Sequence, residues 1–171
     1  MPISEAGSRI VHDSLKACGI RLLAALPETW LVRLLELAEA DPDLTLVQPA
    51  REEEGVGICA GAHLAGRRSA LVIQNHGLLA SVNGIVSCAQ LYRIPLLMLV
   101  SYRGAFGERD PWQTEGGRVT EPVLDALRVP YEKVERPEEA GPRIQQAQAL
   151  GLAANRPTAV LLCRDLLWED A

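Results

Sequence analysis

Apolar positions along the chain recur in two alternating patterns. Ile10, Val11, Leu15 and Cys18, with Ser14 among them, share one face at helical spacing, which predicts a helix over Ile3–Cys18. Gly19 follows, the residue that most readily takes the left-handed turn that ends a helix. The unbroken apolar run Ile20–Leu26 reads as a strand ended by Pro27, and helical spacing resumes over Glu28–Ala40 until Asp41-Pro42 breaks it. Thr45–Val47 predicts a strand, Glu52–Ala65 a helix, Ser69–Gln74 a strand and Val82–Tyr92 a helix. Leu96–Ser101 and Thr158–Cys163 complete the strands, and the polar, aperiodic stretch Gly104–Gly117 predicts a long loop.

Strands that are apolar on both faces and alternate with helices place the chain in the α/β class, a mostly parallel sheet with helices on both faces. No repeat, low-complexity tract or internal boundary appears, so residues 1–171 read as one domain. The helix over Glu52–Ala65 is unusual in having Gly55, Gly57, Cys59, Ala60, Gly61 and Ala62 where large residues would normally stand, which lets it approach its neighbours closely.

Composition narrows the function. Hydrophobic residues make up 48% of the chain and charged ones 23%, enough for one sizeable core. Seventeen Lys and Arg stand against 22 Asp and Glu, a net charge of -5 with no basic cluster, which disfavours nucleic acid and anionic membrane surfaces as partners. The longest apolar run, Ile94–Val100, falls well short of the roughly 20 residues a membrane span requires. The first residues lack the basic stub and apolar core of a signal peptide, so the expected compartment is the cytoplasm. Cys18, Cys59, Cys88 and Cys163 are far apart in apolar settings and read as reduced core thiols.

Candidate chemistry clusters where strands end. In such sheets ligands bind beyond the carboxyl ends of the strands, and those ends carry Pro27-Glu28-Thr29, Pro49–Glu54, Gln74-Asn75-His76-Gly77 and Ser101-Tyr102-Arg103-Gly104. The triplet Glu52-Glu53-Glu54 complements the positive end of its helix, yet the small residues that follow bring at least one of these carboxylates against packed backbone. His76 can act as acid or base near neutral pH, whereas His12 and His63 fall inside helical patterns. Arg103 offers a fork for an anion. Motifs of phosphate-binding loops, serine hydrolases and zinc sites are absent.

Taken together, Arg51–Gly66, Gln74-Asn75-His76-Gly77-Leu78, Tyr92–Leu97 and Ser101–Gly104 resemble the pyrimidine-binding domain of thiamine-diphosphate enzymes, and within it sulfopyruvate and phosphonopyruvate decarboxylases. The resemblance spans nearly the whole chain and implies that fold. In that family a glutamate at the start of the glycine- and alanine-rich helix hydrogen-bonds the cofactor's pyrimidine ring and so promotes loss of the thiazolium proton. Counting back from Gly61 assigns this role to Glu52. The resemblance implies cofactor contacts from Pro27, Glu52 and Gln74, substrate contacts from Glu28, Thr29, Asn75, His76 and Arg103, and catalytic roles for Glu52 and His76.

The family's diphosphate and metal site carries Gly-Asp-Gly, which this chain lacks. The resemblance therefore implies a separate beta subunit that holds Mg2+ and the diphosphate, in a hetero-oligomer of at least two alpha and two beta chains. The implied activity is decarboxylation of a small anionic 2-oxo acid, sulfopyruvate foremost, with a phosphonopyruvate-type decarboxylase, a carboligase or a non-catalytic partner subunit as alternatives. Where the family has Ser-Gly-Leu-Gly-Asn, this chain has His76-Gly77-Leu78-Leu79-Ala80, and Tyr102 stands in place of the histidine of Ser-His-Arg-Gly.

Overall fold

In a computed structural model, which describes residues 3–169, six strands form one parallel sheet. They are β1 (Leu22–Ala25), β2 (Thr45–Val47), β3 (Ser69–Gln74), β4 (Leu97–Ser101), β5 (Tyr131–Val134) and β6 (Thr158–Leu162), in the order β2-β1-β3-β4-β6-β5. The helices are α1 (Glu5–Ala17), α2 (Val32–Ala40), α3 (Glu52–Leu64), α4 (Asn75–Ala80), α5 (Val82–Gly84), α6 (Thr114–Leu127), α7 (Pro137–Ala154) and α8 (Arg164–Leu167).

The continuous apolar runs of the inner strands follow from burial on both faces. Ala70, Val72, Leu97 and Leu99 join the cluster under α1, α2, α7 and α8, while Leu71, Ile73, Met98 and Val100 point the other way into a cluster with Val56, Leu78, Ile85 and Leu124. The mostly parallel sheet covered on each face is the one that the hydrophobic pattern predicts. Gly19 stops α1 as expected: it takes φ +74°, and the Ile20 N–H bonds back to the Leu15 carbonyl. The small residues of α3 serve different directions. A methyl at Gly55 would stand 2.5 Å from Leu71 Cδ1, so α3 is seated on the sheet there, whereas Gly57 and Gly61 meet nothing within 4 Å.

Several boundaries differ from the sequence pattern, for local reasons. α2 begins at Val32, because the Glu28 carbonyl accepts the Leu31 N–H in a turn that precedes the helix. β3 runs directly into α4, so Asn75, His76 and Gly77 belong to a helix. The helix expected over Val82–Tyr92 is α5 followed by a π-helical turn, Ile85–Gln90, that ends with the Leu91 N–H on the Val86 carbonyl. The expected loop Gly104–Gly117 closes earlier, because Pro111–Gln113 form a 3₁₀ turn and α6 starts at Thr114. Beyond it, α6, β5 and α7 occupy a stretch where the pattern assigns no element: Pro122 and Pro142 interrupt the helical signal, and β5 is an edge strand with Glu132 and Lys133 exposed. All four cysteines are free, and all but Cys88 are buried. No helix among the described residues is long and apolar enough to cross a membrane.

The backbone of Gly104, at φ +83°, lies against that of α6, where a methyl would clash with the Gln113 carbonyl oxygen and stand 2.8 Å from the Gly117 amide. Gly104→Ala is therefore expected to lower unfolding stability by about 2–4 kcal/mol. Gly61→Ala, in open space within α3, should raise it by about 0.5–1 kcal/mol. Urea denaturation of both variants checks this contrast, and equal effects would contradict it.

Candidate active site

β3, β4 and β6 end level, with Gln74 beside Ser101 and Ser101 beside Leu162. The chain leaves β1 toward α2 on one face of the sheet and leaves β3 toward α4 on the other. Neighbouring parallel strands whose connections part this way leave a crevice between them, the usual place for a ligand in an open sheet. Pro27, Glu28 and Thr29 follow one side of it, and Gln74, Asn75 and His76 follow the other. Pro27 and Thr29 are exposed, and Gln74 is half-buried, its side chain without a hydrogen bond among the described residues.

Asn75 is fully buried and its amide is occupied. It donates to the Arg103 carbonyl at 2.9 Å and to Thr120 Oγ1 at 3.2 Å, and accepts the Arg103 N–H at 3.4 Å. The residue expected to touch substrate thus ties the end of β3 to the end of β4 and to α6. His76, next along, lays its ring against the bare backbone of α6: a methyl on Gly116 would stand 2.5 Å from its Nε2. Its Nδ1 is buried and has no hydrogen-bond partner.

The three glutamates at the start of α3 have separate surroundings. Glu54 folds back to accept the Ala50 N–H at 2.9 Å, and Glu53 accepts from the Asn83 side chain at 2.9 Å. The Glu52 side chain alone makes no hydrogen bond or ion pair among the described residues. Its side chain is half-buried against α4, and a methyl on Gly77 would lie 2.5 Å from its Cγ and 2.9 Å from its Oε1. Gly77 is therefore what gives Glu52 its place. An uncommitted carboxylate over bare backbone suits a flat heteroaromatic ring with a protonated ring nitrogen, so the residues present fit the pyrimidine end of thiamine diphosphate.

Arg103 is not open to an incoming anion. Its guanidinium is buried, stacks 4.4 Å from the Trp30 ring centroid, donates to Glu108 through Nε at 2.8 Å and Nη2 at 3.1 Å, and donates to Asp110 at 2.7 Å. Its remaining nitrogen lies 4.0 Å from Glu28. Glu108 and Asp110 thus already hold the guanidinium that was expected to meet an anion. Glu108 also accepts the N–H groups of Gly104, Arg109 and Asp110. Burial alone would raise the Glu108 carboxyl, but Arg103 and the Asp110 and Gly104 amides hold it at about 2. Sequence reasoning missed Glu108 and Asp110, although an arginine followed five and seven residues later by acids inside a polar loop was a usable signal.

A cavity of about 740 Å³ lies elsewhere, past the ends of β4 and β6. Tyr102, Arg118, Glu121 and Lys133 line it, and Glu121 takes hydrogen bonds from Tyr102 at 2.8 Å and Lys133 at 3.3 Å. Burial and the Glu121 carboxylate push the Tyr102 phenol up. None of Glu52, Gln74 and His76 lines this cavity, so its size does not locate the chemistry.

Fold and site together define a cofactor-binding domain of the thiamine enzymes. The family model "Thiamine pyrophosphate enzyme, N-terminal TPP binding domain" matches residues 5–116, and the chain belongs to that family. Within it, the chain is similar to the sulfopyruvate decarboxylase subunit alpha of Methanocaldococcus jannaschii, at 38% identity over 95% of this chain and 96% of the relative. It is also similar to the corresponding subunit of Methanothermobacter thermautotrophicus, at 39% identity over 91% and 94%. A phosphonopyruvate decarboxylase of Streptomyces viridochromogenes is 31% identical over 70% of this chain and 30% of its own length. Among solved structures, a 2-oxoglutarate:ferredoxin oxidoreductase from Magnetococcus marinus shares the fold with a TM-score of 0.75, over 98% of this chain and 30% of that one at 19% identity.

Asn75→Ala leaves the buried Arg103 N–H and carbonyl without their side-chain partner and should lower stability by about 2–4 kcal/mol in urea unfolding. A loss near zero would contradict the binding of strand ends described above.

Proposed function

We propose that this chain is the alpha subunit of a two-chain, thiamine-diphosphate-dependent 2-oxo acid decarboxylase that acts on sulfopyruvate. The observation that carries the reading is Glu52, the one glutamate of its triplet left without a partner and set over Gly77. The relatives named subunit alpha support it, because this chain covers 96% and 94% of their lengths. A Methanosarcina acetivorans relative, named sulfopyruvate decarboxylase without a subunit, aligns over only 31% of its length, which supports a second chain that supplies the remainder.

Bound thiamine diphosphate supplies an electron sink that takes up the pair left when carbon dioxide departs. The part of this chain is to hold and tune it. Glu52 places its carboxyl at the pyrimidine ring nitrogen and shares a proton there, with Pro27 and Gln74 lining the ring. His76, held against Gly116, handles a substrate proton through its imidazole, and Glu28 and Thr29 frame the substrate from the end of β1. Magnesium and the diphosphate fall to a beta subunit in an assembly of at least two alpha and two beta chains. The outer side of α3 supports a partner chain there, since a methyl at Gly57 or Gly61 would meet nothing within 4 Å among the described residues and Leu64 is exposed.

The test is turnover of sulfopyruvate and phosphonopyruvate by this chain alone and with its beta partner, both with thiamine diphosphate and Mg2+. Carbon dioxide release from sulfopyruvate in the mixture only is the expected result. Preference for phosphonopyruvate would move the reading to the other decarboxylase, and complex formation without turnover of either would sink it. In the active mixture, Gly77→Ala should displace Glu52 and lower turnover about a hundredfold.

A further inference from the structure

Glu28 carries a charge problem that the rest of the site does not solve. Its side chain is 12% exposed, and neither carboxyl oxygen has a hydrogen-bond partner. The adjoining Ser101 hydroxyl, wholly buried at the end of β4, also lacks one at full hydrogen-bonding geometry. Arg103 is the natural counter-ion, but it lies 4.0 Å away with its Nε and Nη2 taken by Glu108 and Asp110.

The cavity beside these groups, about 280 Å³, is lined by Thr29, Trp30, Arg103, Glu108, Asp110 and Trp168 among others. Charged groups face it from two elements: Arg103, Glu108, Arg109 and Asp110 from the segment after β4, and Arg164 from α8. β3 contributes only neutral Gln74 to this end of the sheet.

We infer that Glu108 is a positioning residue that reserves Arg103 and thereby keeps Glu28 protonated, as a hydrogen-bond donor at the mouth of the crevice between β1 and β3. A buried carboxylate with no donor at full hydrogen-bonding geometry is far less stable than its neutral form, so the group takes up a proton. One proton then serves two unpaired groups, because protonated Glu28 can donate to Ser101 Oγ. Burial displaces Glu28 upward despite the weaker opposing pull of Ser101, the Trp30 and Leu31 amides and Arg103. Freeing Arg103 from Glu108 would let it pair with Glu28 and ionise it.

Infrared titration of the full chain tests this. The wild type should show a carboxylic-acid carbonyl band that persists above the ordinary carboxylate range and disappears in Glu28→Gln. In Glu108→Gln the midpoint of that band should move to lower pH. Should loss of Glu108 unfold the loop, Asp110→Asn, which removes the half-exposed partner of Arg103, must move it the same way. A wild type without the band, or a midpoint unmoved in the folded variants, overturns the inference. Stability gives a second reading with a fixed sign. A carboxyl raised in the folded state favours folding at low pH and weakens it as pH rises through the folded midpoint, so Glu28→Gln should gain stability over wild type as pH increases.

The consequence for catalysis rests on the function proposed above. In the reconstituted complex, the alkaline limb of kcat/KM should shift to lower pH in Glu108→Gln. A moved infrared midpoint with an unmoved limb would leave the ionisation intact and remove Glu28 from the reaction.

Discussion

The carboxyl end of this sheet is organised by a single side-chain amide. Asn75 stands where β3 becomes α4 without any intervening loop, and from there it holds both backbone groups of Arg103 and the hydroxyl of Thr120. Parallel strands that end level leave their last peptide groups without partners inside the sheet, and a buried peptide group that finds none is costly. By binding those of Arg103, Asn75 lets the chain turn at Gly104 and return as α6. The other placements then follow: α6 brings Gly116 under His76, α4 brings Gly77 under Glu52, and Arg103 is left pointing at Trp30 and the acids beyond it.

The site is built largely by omission. At Gly77, Gly104, Gly116 and Gly117 a methyl group would collide with Glu52, with His76 or with facing backbone. These four positions exchange side-chain packing for proximity, which loses local stability but sets Glu52 and His76 against rigid helices rather than on mobile loops. Charge is distributed by the same economy. One arginine is shared among three acids, and the shares are unequal, since Glu108 takes two of its nitrogens and five donors in all while Glu28 takes none at hydrogen-bonding distance.

Much of this was legible in the residues. The doubly buried strands read directly as apolar runs, the left-handed stop at Gly19 announced itself, and the polar ends of the strands did mark the crevice. Glu52 was reached by resemblance, counting back from Gly61, and the structure adds that Glu53 and Glu54 are already engaged. What stayed hidden were properties of distance. Nothing local says that Asn75 finds Thr120, 45 residues on, rather than a ligand, or that Arg103 is already surrounded by acids. The unassigned stretch after Gly117 failed for another reason: Pro122, Pro142 and a charged edge strand blur periodicity, and only packing against the sheet makes elements of them.

The proposed chemistry requires Glu52 to be unlike its two neighbours. The most direct measurement is turnover of 2-oxo acid by the complex of this chain with its beta partner, comparing Glu52→Gln, Glu53→Gln and Glu54→Gln at saturating thiamine diphosphate. Loss of activity in the first alone, with folding and complex formation retained by all three, is the predicted result. Equal activity in all three, or a loss confined to Glu53→Gln or Glu54→Gln, would contradict it.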